Sequence, residues 1–301
     1  MLESIALSTE VTKHWSSRRP HNISKPQKLV FKVGQLEKLK ALFNMKNWDI
    51  EENEVFSCFE RYIRTLSRLQ ENQQNFILEL TERFIHLPLE KYPKCLLEPV
   101  RQIRRDYSAD NLLFASCVSK ADIGKVKSGP VVLYQFKGST LKSRVALGNH
   151  SIIESFTPEI IKRIDLDHSH FVLVDDFIGT GESARGAIEY IRELFPVLVD
   201  NSRISILCIV AMKKGIDFIK SLGATVYTSS ICERGISDFY SGDELVKAIE
   251  TMQGIELSMK KLNPKFRFGY GQSEALVCME RCPNNTFPIY WYQKNDAPYE
   301  R

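Results

Sequence analysis

The spacing of hydrophobic and polar residues changes near residue 110 and divides the chain into two parts. Between residues 34 and 108, apolar side chains recur every three or four positions, which is the spacing of amphipathic helices. Three stripes show it: Leu36, Leu39, Leu42 and Phe43; Phe56, Phe59, Ile63, Leu66 and Leu69; and Phe76, Ile77, Leu80 and Phe84. A further short helix is predicted over 96–103. These stripes predict a helical module over 34–108.

After residue 109, short apolar runs alternate with amphipathic stretches. Strands are predicted over 112–118, 131–136, 171–174, 204–210 and 224–228, and helices after Thr157 and over 183–194, 216–222 and 243–262. Strands that alternate with helices of this length favour a parallel sheet with right-handed crossovers. We therefore predict an α/β fold, in which a Rossmannoid parallel sheet over 109–301 follows the N-terminal α-helical module.

Residues 1–33 are predicted to be a basic, irregular arm, because Pro20 and Pro26 interrupt them. From residue 11 to residue 36 there is no acidic residue. The basic residues there are Lys13, Arg18, Arg19, Lys25, Lys28 and Lys32. Two interpretations stay open: the arm contacts a nucleic-acid backbone, or it is only a solvated segment. The helical module is likewise either a partner-binding or DNA-binding element or a brace for the sheet.

Composition and charge exclude some classes of protein. The 301 residues include 41 Lys and Arg and 37 Asp and Glu, for a net charge of +4, and 43% are hydrophobic, as in an ordinary globular protein. No stretch of about 18 uncharged apolar residues is present, so no transmembrane helix is expected. The first residues lack a basic region followed by an apolar core, so no secretory signal is expected. Seven scattered cysteines favour a reducing, cytoplasmic location.

The strongest candidate for chemistry is the stretch FVLVDDFIGTGES over 171–183. It predicts a buried strand, then Asp175 and Asp176, then a glycine-bearing turn, and then a helix that Ser183 would cap. A turn of small residues that leads into a helix N-terminus binds anions, because free N–H groups and the helix dipole both point at it. In parallel sheets, ligands bind beyond the carboxyl ends of the strands. Acids beside an anion site suit sugar hydroxyls, so we predict a ribose-phosphate site.

Residues 172–183 resemble the PRPP-binding motif of type I phosphoribosyltransferases: apolar strand residues, two acids, two mostly apolar positions, a small residue, Thr-Gly, another small residue, then Thr or Ser. The resemblance implies a phosphoribosyltransferase-like α/β domain in which Asp175 and Asp176 bind the ribose hydroxyls and serve catalysis. Asp176 is the better candidate for a role beyond binding. Backbone N–H groups and two hydroxyls of the loop would hold the 5′-phosphate. The loop consists of Gly179, Thr180, Gly181, Glu182 and Ser183.

One position departs from this motif. Where the family usually has a small residue, this chain has Glu182. A carboxylate at about 4 Å from the phosphate would oppose it by about 1 kcal/mol in water, and by more when desolvated. The repulsion is avoided only if the side chain points outward while the loop binds through its backbone. The motif therefore supports the site more strongly than it supports affinity for PRPP.

The resemblance also implies groups for the pyrophosphate, together with Mg²⁺ to neutralise it. The polar loop over 119–129 offers Lys120, Lys125 and Lys127, although solvated loop lysines are an equally good interpretation. The candidates for selecting the base are Tyr270, Trp291 and the turn over 284–286. Aromatic core is the more common role for a tryptophan such as Trp291.

Other chemistries have less support. The Walker A pattern is missing, which weakens an NTPase interpretation. His168 and His170, with nearby acids, are expected in a solvated turn rather than at a metal. Cys278 and Cys282 have no second pair at zinc-site spacing. We therefore predict no metal ligand in the chain itself.

A second, narrower resemblance rests on Lys127-Ser128-Gly129 before an apolar run, on the Asp-Asp-Phe-Ile-Gly-Thr-Gly form of the loop, and on residues 283–289 followed by Trp291. These segments are similar to phosphoribosyltransferase-like effectors of bacterial conflict systems, including antiphage effectors encoded beside retron reverse transcriptases. This implies a toxin held inactive by a partner complex until infection. As an enzyme it would transfer or hydrolyse at C1′ of a ribosyl phosphate or nucleotide. The alternative is a non-catalytic sensor of PRPP or a nucleotide that binds nucleic acid or a partner.

Overall fold

The computed structural model describes residues 31–50, 57–108, 110–198, 200–292 and 297–299. Nearly all of the predicted basic arm, and Phe56 of the second apolar stripe, lie outside the described residues. None of the helices in the described part of the chain is both long and apolar enough to cross a membrane.

The elements follow one another along the chain in an order that becomes α/β after residue 110. They are α1 (Val33–Lys46), α2 (Cys58–Ser67), α3 (Glu71–Glu82), β1 (Ile85–His86), α4 (Tyr92–Asp106), β2 (Asn111–Ser116), α5 (Gly129–Gln135), α6 (Ser139–Arg144), β3 (His150–Ile153), α7 (Pro158–Ile161), β4 (Ser169–Val174), β5 (Phe177–Ile178), α8 (Glu182–Leu194), β6 (Ile204–Met212), α9 (Lys213–Ser221), β7 (Thr225–Cys232), α10 (Gly242–Ser258) and β8 (Val277–Cys278). The predicted α/β fold class and the alternation of strands and helices are confirmed.

The main sheet is parallel, and its strands lie in the order β3-β2-β4-β6-β7. β5 continues the line of β4 along the same side of β6. In register, Leu113 lies beside Phe171 and Leu173 beside Ile206. The first connection runs from β2 outward to β3, and the later ones run in the opposite direction across the sheet. The loops therefore diverge between β2 and β4, and such a switch point leaves a crevice at the carboxyl ends of these two strands.

Helices cover both faces of this sheet, as a doubly wound fold requires. Alternate residues of each strand point to opposite faces. In β2, Leu112 and Phe114 join a core with α4, α5 and α6, whereas Leu113 and Ala115 join a core with α8 and α9. Because both faces are covered, β4 and β6 are buried along their whole length, which is why they appear in the sequence as continuous apolar runs.

The strand predicted over 131–136 is wrong, since these residues belong to helix α5 and the residue that follows it. Val132, Leu133 and Phe136 are buried while Val131 and Tyr134 are exposed, which is helical spacing. β-branched and aromatic residues suggested a strand, but a parallel neighbour of β2 can be reached only through a crossover. The tertiary requirement for that crossover outweighs the local strand preference.

The helices α1, α2 and α3 form a second core with α10 and the C-terminal residues. Phe84 and Tyr299 stack with ring centroids 5.2 Å apart, and the hydroxyls of Thr81 and Tyr290 lie 3.0 Å apart. β1 pairs in parallel with β8. The predicted domain boundaries stay predictions, but the structure shows what the helices contact: α1–α3 pack against the C-terminal part of the chain, and α4 covers the sheet.

Candidate functional site

The acid pair lies at the carboxyl end of β4, beside the switch point of the sheet. The ladder is irregular here: the Asp175 N–H donates to the Leu207 carbonyl at 3.0 Å, and both Ile209 and Val210 donate to the Asp176 carbonyl at 3.1 Å. The register is the same on both sides, with Val174 beside Leu207 and Phe177 beside Val210, so no residue is inserted. This interruption separates β4 from β5 and lies at the two acids.

Asp175 is half-buried and is held by the loop that precedes α5. Its Oδ1 accepts a hydrogen bond from Ser128 Oγ at 2.5 Å and another from the Asp176 N–H at 2.9 Å. Ser128 reaches the acid because Gly129 lies against the strand end; a Cβ at Gly129 would be 2.9 Å from the Val174 carbonyl oxygen. The segment Lys127-Ser128-Gly129 therefore contributes directly to the site.

Asp176 is buried, with 7% of its surface exposed. Its Oδ2 accepts a hydrogen bond from the Tyr92 hydroxyl at 3.1 Å, and the same hydroxyl oxygen accepts the Glu280 N–H at 3.0 Å. The sequence contains no signal for Tyr92, which lies 84 positions away at the start of α4. Of the two acids, Asp175 is the more accessible.

The pKa values of both carboxyls are raised above their usual range. For Asp175 the causes are burial and, after it, the negative charge of Asp176. For Asp176 the main cause is burial, which hydrogen bonds to Ser128 and Tyr92 partly offset. Two adjacent buried carboxyls resist being charged together. The pair therefore retains a proton more readily than two exposed aspartates do.

The loop after β5 opens helix α8 with free donors. Gly181 precedes the helix with φ +86, a left-handed conformation that favours glycine. Among the described residues, the backbone N–H groups over 180–183 have no hydrogen-bond acceptor. Free N–H groups at the start of a 13-residue helix suit an anion. Ser183 was expected to cap the helix, and this is wrong: Gly181 is the cap, and Ser183 is the second helical residue with an exposed side chain.

Glu182 points away from the loop. Its carboxylate forms an ion pair of 2.6 Å with Arg185 one turn later, and half of its side chain is exposed. In this orientation the carboxylate is solvated and paired with a cation, so repulsion of a phosphate is screened. The departure from the motif is thus compatible with an anion in the loop.

The C-terminal part of the chain lies against the same loop. The Asn285 side chain packs on Gly179, and its Nδ2 donates to the Tyr270 carbonyl at 3.2 Å and to Ser273 Oγ at 2.9 Å. A Cβ at Gly271 would be 2.8 Å from the Thr180 methyl group. The turn over 284–286, suggested for base selection, thus packs against the loop over 179–183.

Trp291, the other aromatic candidate for base selection, is core: it is buried, and its Nε1 donates to the Thr286 carbonyl at 2.7 Å. Tyr270 has 41% of its surface exposed, so it remains the one of these two aromatic residues with a side chain that a ligand can reach.

The polar loop after β2 borders the site. It begins where Ser119 lies against Gly186 of α8, with a Cβ at Gly186 only 2.8 Å from the Ser119 Cβ, and it ends where Ser128 binds Asp175. The loop thus runs from α8 to the acid pair. This is the position in which pyrophosphate-binding groups were expected.

Its three lysines are ion-paired within the protein. Lys120 binds Glu193 at 2.6 Å, and Lys125 and Lys127 both bind Asp122 at 2.9 Å. The two lysines lower the pKa of Asp122 to about 2. A pyrophosphate would have to draw these exposed lysines away from their carboxylates, which costs little for surface pairs. Their role as pyrophosphate ligands stays a prediction.

A groove with a volume of about 570 Å³ lies further along the sheet, at the carboxyl ends of β6 and β7. Lys213 and Lys220 of α9 line it, and the Arg83 guanidinium lies over the Phe239 ring, 4.2 Å from its centroid. Sequence analysis missed this groove. The one available signal was the basic residue Lys213 directly after a buried strand.

Within the described residues, no group of three or more His, Cys, Asp or Glu side chains is arranged to hold a metal ion. His168 instead pairs with Asp165 at 3.0 Å on the surface, and buried His170 lies 2.7 Å from Ser205 Oγ. The Mg²⁺ ion expected with a pyrophosphate-bearing ligand stays a prediction.

The chain is similar to known proteins over most of its length. Residues 34–301 match the model of the family described as PRTase-CE. No curated protein matches the chain. Solved structures that overlap in part include orotate phosphoribosyltransferase from Aeropyrum pernix (15% identity, 47% of this chain and 70% of that chain, TM-score 0.28) and Helicobacter pylori xanthine-guanine-hypoxanthine phosphoribosyltransferase (12% identity, 50% and 84%, TM-score 0.28). Overlaps with TM-scores this low carry no argument about ligand or activity.

Proposed function

We propose, since this chain belongs to the PRTase-CE family, that its phosphoribosyltransferase-like domain binds a ribosyl 5′-phosphate ligand, PRPP or a nucleotide, at the carboxyl ends of β4 and its neighbours. The observation that carries the proposal is the pairing of two features. An acid pair ends β4, and free N–H groups open α8 a few residues later. A ribose has hydroxyls for the first and a 5′-phosphate for the second.

Each group of the chain has a part in this proposal. Asp175 and Asp176 accept hydrogen bonds from the ribose hydroxyls and favour positive charge that develops at the ribose ring when the bond at C1′ breaks. The N–H groups over 180–183, with the Thr180 hydroxyl, hold the phosphate. Mg²⁺ would neutralise a pyrophosphate on the ligand. The groove beside Lys213 and Phe239 offers an aromatic face and cations for an acceptor or base.

The ion pairs of the lysine loop favour a second candidate function. Lys120, Lys125 and Lys127 already have carboxylate partners, so a leaving pyrophosphate would compete with these carboxylates for them. A non-catalytic sensor of PRPP or a nucleotide needs only the acid pair and the phosphate loop. Turnover therefore decides between enzyme and sensor.

Calorimetric titration of the full chain with PRPP and Mg²⁺, beside assays for release of pyrophosphate and free base, tests the proposal. We expect binding, and a loss of about tenfold or more in Asp175→Asn and in Asp176→Asn, because a charged hydrogen-bond acceptor is removed. Asp243→Asn, which neutralises an exposed carboxylate at the start of α10, is the matched control and keeps wild-type affinity. Absence of binding to the wild-type protein would overturn the site. Binding without turnover would select the sensor.

The biological role we propose is that of a toxin in antiphage defence, restrained by a partner complex such as a reverse transcriptase with its nucleic acid. The support is the resemblance carried by the loop and by residues 283–289, and the basic residues between 11 and 36 suit a nucleic-acid backbone. The test is growth of cells that express the chain. Toxicity that persists in the Asp175→Asn/Asp176→Asn double variant would show that the acid pair is not the active part. Nucleic-acid binding that ignores salt would exclude the electrostatic contact.

A further inference from the structure

The Tyr92 hydroxyl has a defined direction. A backbone N–H can only donate, so the Glu280 N–H, 3.0 Å away, must donate to the Tyr92 oxygen. The hydroxyl proton is then free to point at Asp176 Oδ2, 3.1 Å away. Tyr92 is 1% exposed, so water does not compete for these bonds. The contact with Glu280 thus makes Tyr92 a donor to Asp176.

The Tyr92 hydroxyl donates to Asp176, so the two acids of the pair have different hydrogen-bond donors. A hydrogen bond donated by the Tyr92 hydroxyl stabilises the carboxylate of Asp176 and therefore favours its ionised form. Asp175 accepts its hydrogen bonds from other donors, the Ser128 hydroxyl and the Asp176 N–H. Loss of the Tyr92 hydroxyl therefore removes a donor from Asp176 and none from Asp175.

Other titratable groups close to the pair do not change this assignment. Cys117, the residue after β2, and Cys208 of β6 are buried, and burial raises the pKa of both thiols, so they are uncharged at neutral pH. Tyr92 itself has its pKa raised by burial and by Asp176, so it keeps its proton. Glu280 contributes its N–H, while its carboxylate Oε2 accepts from the Leu89 N–H at 3.2 Å.

We propose that Tyr92 is a positioning residue that keeps Asp176 ionised and oriented in the ligand-free site. The assignment concerns the protein alone, and only its consequence for ligand binding rests on the proposed function. Ribose hydroxyls bind best to an ionised acceptor, so loss of the Tyr92 hydroxyl is expected to weaken the binding of PRPP.

The experiment follows the carboxyl resonances of the full-length, ligand-free protein by ¹³C NMR as the pH is varied. Asp175→Asn leaves Asp176 as the titrating acid, and Asp176→Asn leaves Asp175. Tyr92→Phe is added to each variant. Tyr227→Phe is the matched control, because the hydroxyl of buried Tyr227 donates to another aspartate, Asp106, at 2.7 Å.

In the Asp175→Asn protein we expect Tyr92→Phe to raise the apparent pKa of Asp176 by about one unit, the value of a lost hydrogen bond to a charged group. In the Asp176→Asn protein the same change leaves Asp175 nearly unaffected, and Tyr227→Phe moves neither acid. Equal shifts in both backgrounds, or no shift in either, would overturn the assignment. If PRPP does not bind the wild-type protein, the proposed function fails while these titrations still decide the role of Tyr92.

Discussion

Replacing Gly181 with alanine tests the conformation of the loop over 179–183, which leads into α8. Two costs add at this position. With φ +86, an L-residue is strained by about 1–2 kcal/mol. The new Cβ would also lie 2.8 Å from Phe218 Cδ1 and 3.3 Å from the Gly215 carbonyl oxygen, and overpacking of this kind costs about 1–3 kcal/mol. Gly181→Ala is therefore expected to lower the free energy of unfolding by about 2–5 kcal/mol.

Gly223→Ala is the matched control. Gly223 has nearly the same backbone conformation, φ +83, but the nearest atom to its Cβ would be the Asn201 Cβ at 3.9 Å, an ordinary contact. This variant is expected to lose only the backbone part, about 1–2 kcal/mol. The difference between the two variants therefore isolates the contact of residue 181 with Phe218 and α9.

The assay is urea unfolding followed by circular dichroism, with the midpoint compared at unchanged slope. Combining Gly181→Ala with Phe218→Ala should remove most of the excess loss, because the ring that the new methyl group meets is then absent. Equal midpoints for Gly181→Ala and Gly223→Ala would refute the reasoning, since the loop would then have room for a side chain at residue 181.

Three further predictions concern single side chains. Tyr290→Phe removes a buried hydroxyl 3.0 Å from Thr81 Oγ1 and should lower the free energy of unfolding by about 1 kcal/mol; an unchanged urea midpoint would contradict this. Burial raises the pKa of Glu256 from 4.5 to about 7, so the folded protein binds its proton more tightly than the unfolded chain does. The stability that protonated Glu256 contributes is fully present below pH 4.5 and is lost as the pH rises through about 7. Glu256→Gln should therefore flatten this part of the profile of melting temperature against pH. Arg185→Ala breaks an exposed ion pair with Glu182 and should change stability by no more than about 1 kcal/mol; a larger loss of thermal stability would show that the pair holds the loop.

The sequence predicts the part of the site that is formed by residues close together in the chain. The acids, the turn and the helix start occupy consecutive positions, so the strand pattern, the glycine conformation and the free N–H groups of the first helical turn all follow from near neighbours. The structure locates β4 and α8 as this pattern predicts. The exception is the helix cap, which was expected at Ser183 but lies two residues earlier, at Gly181.

One strand prediction was wrong because contacts between residues far apart in the sequence decided the structure. Residues 131–136 have the composition of a strand, yet they form a helix, because the connection from β2 to β3 has to cross the sheet. The lysines of the loop after β2 are ion-paired with Asp122 and Glu193, and their role as pyrophosphate ligands stays a prediction.

The sequence by itself determined the fold class, the position of the acid pair at a strand end and the glycine-bearing turn before a helix, because each depends on residues within a few positions of one another. The tertiary structure alone decided how these parts are held. The Tyr92–Asp176 contact spans 84 positions and the Glu280–Tyr92 contact spans 188, so no local pattern encodes them. They exist because the sheet order and the second core bring α4, β4 and the C-terminal residues to one edge, where burial makes each hydrogen bond necessary.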